Sequence, residues 1–457
     1  MTLSQSKKTK PIQSQTKPIS KTEIRRQKPA LSEVEGTDDR RQSTVLGPPS
    51  SALGTGSASK KRKIIWSALS LTALVLAIGA GAFAAEVPSY LKGYEELYAQ
   101  RPREAALAWF KEAKFGLFVH YALASVLEGG KPEYLELIAE FEEQVELAKL
   151  PASQRAKLGV SEEQMKQVHA LHRDLMKRFR AERFDADTIC DLAVAAQMRY
   201  VNFTTKHLGR LAMYRTRTTD FTSLNSPAGR DLVGELAEAC SKRGLGLFLY
   251  VPPETARTDG EFFEINRTII RELLTQYGPI AGIWFDGIGH HRRNPENYSR
   301  LSETFSMIRA LQPQCLISFK EGAIGQEDFI APEHFLMPAP VKLDTTRRQE
   351  RWDIRLQKFK RFREEKWHKY FRHKPAEINT TMQECANRDG VGQPGGWIND
   401  NAARHLSADE VMFLVKVARS LNANLLINVG PVADGSIHPD DEKALREVGR
   451  RLRGKGD

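Results

Sequence analysis

From residue 109 onward, short runs that are apolar on both faces alternate with longer stretches whose apolar residues recur at helical spacing. The short runs are 115–121 (FGLFVHY), 199–205 (RYVNFTT), 245–251 (LGLFLYV), 281–286 (AGIWFD), 315–319 (CLISF), 334–338 (HFLMP), 377–382 (EINTTM) and 424–430 (NLLINVG). Amphipathic segments at 187–197, 230–243, 261–277, 297–311 and 407–421 separate several of them. The last opens with Ser407 and carries Glu410 three residues on, the pattern of a capping box. Strands without a polar face, joined by helices, pair in parallel, and eight such units predict an α/β fold of the (β/α)8, TIM-like barrel type. An open doubly wound sheet is the alternative, but no Gly-x-Gly-x-x-Gly turn follows the first run.

Two regions depart from this rhythm. Residues 133–180 are charged and helical in pattern, broken near Pro151 and Gly159, and read as a helical hairpin inserted after the first strand. Residues 1–63 are rich in Ser, Thr, Gln, Pro and Lys and poor in aromatics, a composition too polar to bury a core, so a disordered basic tail is expected there. Four cations at 60–63 then precede 22 uncharged residues, 64–85, long enough to span a bilayer. The small-x-small triplet at 82–84 fits signal cleavage equally well, and both a signal peptide and a retained membrane anchor would place residues 86–457 outside the cytoplasm.

Charge and cysteine content narrow the partners. The formal charge of +11 is concentrated in the tail, where 14 Lys or Arg face 5 Asp or Glu. The remainder is nearly neutral, which argues against nucleic acid. Cys190, Cys240 and Cys315 lie in apolar runs and read as core thiols, and neither they nor Cys385 form a Cys-x-x-Cys pair. No metal site and no cofactor are expected.

Catalytic groups of a barrel sit where its strands end. The ends here carry His120 and Tyr121, Thr205, Lys206 and His207, Tyr250, Trp284 and Asp286, Lys320, Asp328 and Glu333 in the next loop, Glu377, and Asn428. Strand bodies are apolar, so this distribution predicts a polar pocket at one end of a packed barrel. Two carboxylates on separate loops, framed by rings and imidazoles, suit glycoside hydrolysis, one as nucleophile and one as proton donor. Each residue also has a plainer reading. Asp286 before Gly287 fits a turn carboxylate, Glu333 after Pro332 a helix N-terminal charge, and the histidines and aromatics a satisfied core.

Several long motifs resemble glycoside hydrolase family 29, the retaining α-L-fucosidases, from about Trp109 to Leu452. KFGLFVHYALASV at 114–126 is similar to the family's K-F-G-I-F-I-H-W-G stretch, YGPIAGIWFDG at 277–287 to Y-G-P-I-x-x-L-W-F-D-G, and NLLINVGPVADGSI at 424–437 to N-L-L-L-N-V-G-P-x-x-D-G-x-I. The resemblance implies Asp286 as nucleophile, Glu333 as acid/base, and His120, Tyr121, Glu133, Lys206, His207, Tyr250, Trp284 and Lys320 as sugar-binding positions, with no metal. The implied partner is a fucosylated glycan or related glycoside, cleaved by double displacement, and membrane contact would be confined to residues 64–85. The chain departs from the pattern where K-H-H-D-G-F becomes KHLGRL, placing Leu208 and Gly209 at a histidine and an aspartate, and where N-N-R becomes SFK, placing Lys320 at an arginine. These changes leave open a catalytically impaired, carbohydrate-binding relative. An anchored scaffold acting through residues 133–180 is a further alternative.

Overall fold

The computed structural model describes residues 86–127, 161–207, 209–254, 259–288, 295–320, 322–332, 373–383, 396–399 and 403–454, with a few single positions besides. Residues 1–85, most of the 133–161 region and the expected strand at 334–338 lie outside them.

Seven strands are present among the described residues: β1 (Phe115–Val119), β2 (Tyr200–Thr204), β3 (Gly246–Val251), β4 (Gly282–Phe285), β5 (Leu316–Phe319), β6 (Ala376–Thr381) and β7 (Ala423–Val429). They pair in parallel in the order β5-β4-β3-β2-β1-β7-β6, and every strand residue is buried. The sheet curls until its edges approach, and residues 328–331 fill the seam. Phe329 bridges Ser318 of β5 and Ile330 bridges Ala376 of β6, both in parallel. Four backbone hydrogen bonds hold the segment: Asp328 N–H to Ile317 O at 2.7 Å, Ala331 N–H to Lys320 O at 2.8 Å, Ile330 N–H to Pro375 O at 3.1 Å and Glu377 N–H to Ile330 O at 2.8 Å. The eighth strand expected at 334–338 lies outside the described residues. The two bridging residues, one of them flanked by the buried acid Asp328, are too short a run to register as an apolar strand in the sequence.

Side chains alternate along each strand, so one set points into the barrel and the other outward. The inner set, Phe118, Tyr200, Phe248, Tyr250, Trp284, Leu316, Phe329 and Leu426, forms one aromatic-rich cluster. The outer set, including Leu117, Val119, Val201, Phe203, Leu249 and Ile283, packs with the surrounding helices in a second cluster.

The helices follow the expected places within two or three residues. After α1 (Glu95–Gln100), α2 (Pro102–Ala113) lies beneath the barrel and plugs it. Trp109 lies parallel to the Phe248 ring at 6.3 Å, Phe110 packs on Phe329 at 4.2 Å, and the Asn424 amide donates to Phe110 O at 2.8 Å. Gly246 admits the plug, since a Cβ there would come within 2.4 Å of the Trp109 ring. Arg103 of the same helix pairs with the buried carboxylate of Asp328, tying plug to seam. Helix α3 (Glu162–Arg178) is the described part of the charged excursion. The outer layer consists of α4 (Ala186–Ala195), α5 (Leu232–Arg243), α6 (Asp259–Gln276), α7 (Pro295–Leu311), α8 (Ala408–Ser420) and α9 (Pro439–Gly454). Asp185 and Asp231 cap α4 and α5, Gly244 ends α5 in the left-handed region, and Ser407 with Glu410 makes the capping box on α8.

Cys190, Cys240 and Cys315 are free and buried, as their apolar contexts predict. Cys190 and Cys240 bring their sulfurs to 3.5 Å between α4 and α5. Among the described residues no helix is long and apolar enough to cross a membrane; residues 64–85 are not among them.

Candidate active site

Asp286 is the first residue past β4, and the inward alternation that places Trp284 inside the barrel places Asp286 above it. Its carboxylate receives two partners from neighbouring strand ends. Tyr250, on β3, donates its hydroxyl to Oδ2 at 2.6 Å, and Lys320, just past β5, sets Nζ 2.6 Å from Oδ1. A quarter of the carboxylate's side chain stays accessible. Burial works against its charge, but Lys320 above all, then Tyr250 and His207, hold the carboxyl below its usual range. The result is an ionised, partly exposed carboxylate at the open end of a barrel, which is what a nucleophile requires and a turn carboxylate does not.

Aromatic and imidazole rings line the same end. Trp284 and Tyr250 lie nearly parallel, 5.6 Å between centroids and 25° between planes. Across from them His120 is buried, with its ring 4.8 Å from His207, 5.6 Å from Tyr250 and 4.8 Å from Trp397. Its Nδ1 is 2.6 Å from Asn428 Oδ1. Burial, and secondarily the neighbouring His207, push the His120 pKa well below the ordinary histidine value, so the ring is neutral near pH 7. Beneath this layer Glu377 accepts hydrogen bonds from Tyr200 Oη at 2.6 Å and Trp284 Nε1 at 3.0 Å. Burial raises its carboxyl to about 7.

The structure thus brings together Asp286, Tyr250, Trp284, His120, His207 and Lys320 from the sequence-predicted set. Lys206 is buried and forms an ion pair with Glu254, whose backbone is held in turn by Asn266. Tyr121 does not join the pocket. The alternation that turns His120 inward turns Tyr121 outward, where it packs against Phe179 and Phe184 and donates its hydroxyl to Ala433 O at 3.0 Å. Glu377 is no strand-end group either: it is the second residue of β6 and lies deep in the barrel. Glu333, Glu133 and Leu208 lie outside the described residues. Ala331, whose backbone N–H is bonded to Lys320 O beside Asp286, lies two positions before Glu333.

Sequence reasoning missed Trp397 and Glu254. Trp397 follows a Gly-Gly pair in a loop far from any apolar run, and its one signal is an isolated aromatic in a turn-forming stretch. Glu254 lies three residues past β3 behind two prolines, beyond the positions where strand-end chemistry was sought.

A parallel (β/α) barrel with an ionised carboxylate at a strand end, framed by stacked rings and neutral imidazole, belongs to the class of barrel glycosidases. The sequence matches the profile of the family described as Alpha-L-fucosidase over residues 83–457. The chain belongs to that family. An α-L-fucosidase of Dictyostelium discoideum is 22 % identical over 371 residues, covering 75 % of this chain and 69 % of that protein. Alpha-L-fucosidase 1 of Arabidopsis thaliana is 30 % identical over 166 residues, 34 % of this chain and 32 % of the relative, and the bovine tissue α-L-fucosidase is 30 % identical over 197 residues, 39 % of each. The chain therefore spans only about a third of some of these relatives' length. Two solved structures share the fold: α-L-fucosidase isoenzyme 1 from Paenibacillus thiaminolyticus (TM-score 0.54, 23 % identity, 78 % of this chain and 77 % of that one) and the unliganded α-L-fucosidase AlfC from Lactobacillus casei (TM-score 0.54, 22 % identity, 76 % and 98 %).

Proposed function

We propose that the protein is a retaining glycosidase acting on terminal α-L-fucosides or closely related sugars. The observation that carries this reading is Asp286, charged and partly open between Tyr250 and Lys320 at the mouth of the barrel. Asp286 attacks the anomeric carbon and forms a covalent glycosyl ester while the glycosidic bond breaks. Glu333 gives a proton to the departing oxygen, then takes one from the water that hydrolyses the ester. The stacked Trp284 and Tyr250 rings offer an apolar wall to the sugar's C–H face, and His120 and His207 supply polar contacts. Related AlfC structures are complexes with α-L-fucose and, for a point variant, with Fuca(1,6)GlcNAc, which supports fucosides as the first substrates to try.

The test is a panel of aryl α- and β-glycosides, fucosides and galactosides included, with Asp286→Asn beside the wild type. The variant should lose about three orders of magnitude or more in kcat/KM, since a covalent nucleophile contributes several kcal/mol to transition-state stabilisation. Equal rates for wild type and variant on every member would remove the enzyme. The second reading, a sugar-binding relative without turnover, draws on Lys320, which engages the attacking carboxylate directly where the family pattern has an arginine. A fluoroglycoside that labels Asp286 decides against it. Export is part of the proposal, supported by the cations at 60–63 followed by the uncharged run 64–85. Protease accessibility of residues 86–457 in intact cells checks it.

A further inference from the structure

We propose that Asn428 is a positioning residue that sets the tautomer of His120, keeping its single proton on Nδ1 and leaving Nε2 to accept a hydrogen bond from a sugar hydroxyl. This deepens the glycosidase reading and rests on it for the identity of the ligand.

Asn428, on the inward face of β7, has one acceptor oxygen and two N–H donors. Its Nδ2 lies 2.9 Å from Gly396 O and 2.9 Å from Trp397 O. Both are carbonyl oxygens, which only accept, so both amide hydrogens are committed to them. Turning the amide over would set its oxygen against two others, so the network fixes which end is which. Oδ1 must therefore face His120 Nδ1, 2.6 Å away, and an oxygen with no hydrogen can only accept there. His120 Nδ1 carries the proton and donates it.

The ring holds no second proton near pH 7, because burial and His207 keep it neutral. Its Nε2 is then a lone pair, and the hydrogen bond the ring makes among the described residues is the one at Nδ1. The groups packed against the ring are Phe118 at 4.1 Å, His207, Tyr250 and Trp397, of which only His207 and Tyr250 are ionisable. The same side chain also places Trp397, by holding the two carbonyls of its loop. Gly430 makes room for that loop: a Cβ there would meet Asn399 N at 2.5 Å and Trp397 O at 3.0 Å. One carboxamide thus gives His120 its polarity and brings in the ring that flanks it. An acceptor nitrogen in an aromatic wall selects a ligand with a hydroxyl at that position over one lacking the hydrogen.

The tautomer is read directly on the wild-type full chain carrying 15N-labelled histidine at neutral pH. Long-range proton–nitrogen correlations, assigned with His120→Gln, should show a protonated Nδ1 and an unprotonated Nε2. A proton on Nε2 would overturn the proposal, whether or not the protein hydrolyses anything. Titration with L-fucose should then move the Nε2 signal of His120, and binding that leaves it in place counts against the hydroxyl contact. For the kinetic arm, monodeoxy α-L-fucosides are compared on wild type and Asn428→Asp, whose carboxylate favours a second proton on the ring. The wild type should disfavour one deoxy isomer by at least tenfold, and the variant should lose that preference through KM more than kcat. Preserved discrimination in a folded Asn428→Asp protein contradicts the assignment. Absence of turnover in the wild type would sink the glycosidase reading alone, since the nitrogen signals decide the tautomer without it.

Discussion

At the residue scale, the site depends on how Lys320 and Tyr250 divide the two oxygens of Asp286. A cation in contact favours the ionised carboxylate, so its removal raises the carboxyl pKa. Lys320→Met should therefore move the acidic limb of the kcat/KM profile upward by about 1–3 pH units, and Lys320→Arg should leave it low. A limb unmoved by the methionine would mean that Asp286 owes its charge to other neighbours. Glu377 shows the opposite balance. Burial raises its pKa to about 7, above the value near 4.5 expected in the unfolded chain, so the fold favours the protonated form. Its contribution to stability is whole below pH 4.5 and lost as pH rises through 7, to an extent of about 3 kcal/mol. Denaturant unfolding at pH 5 and pH 8 should show this loss in the wild type, and Glu377→Gln, neutral at both, should flatten it.

At the scale of elements, the seam is the critical joint. Among the described residues, isolated bridges at Phe329 and Ile330 join β5 to β6, and Asp328 anchors them from below by accepting the Ile317 N–H at 2.8 Å while pairing with Arg103. Desolvation alone would make this fully buried carboxylate costly, and it raises the carboxyl pKa despite the nearby arginines. Asp328→Ala leaves the buried Ile317 N–H without its side-chain acceptor and removes the ion pair of the partly exposed Arg103, and should cost about 1–3 kcal/mol of stability. Amide exchange at 329–331 should accelerate more than exchange in β1 and β2. Because the segment leads directly toward Glu333, a loosened seam should also slow hydrolysis while sugar binding is retained. Equal acceleration of exchange across all strands would show instead that the barrel responds as one unit.

At the scale of the whole molecule, the periodic parts of the fold were legible in the sequence and the aperiodic parts were not. Seven strands and their flanking helices announced themselves because burial on both faces demands continuous apolar runs, and because Asp, Ser and Gly mark helix ends. The bridges at Phe329 and Ile330 were not legible, because two residues carry no period. Asp286, Tyr250, Trp284, His120 and His207 were legible as polar or aromatic groups at strand ends. Tyr121 misled for the same reason: adjacency in sequence to His120 implies the opposite face in a strand, so one of two neighbours must leave the pocket. Trp397 reaches the site through a loop whose path is set by Asn428 and Gly430, a tertiary fact with no local signature.

The plug formed by Trp109 and Phe110 makes the barrel a cup and not a conduit. No polysaccharide can be threaded lengthwise through such a vessel. On the proposed reading, whatever is cut must be offered at the rim, and the freed unit must retreat by the way it came before the next is admitted.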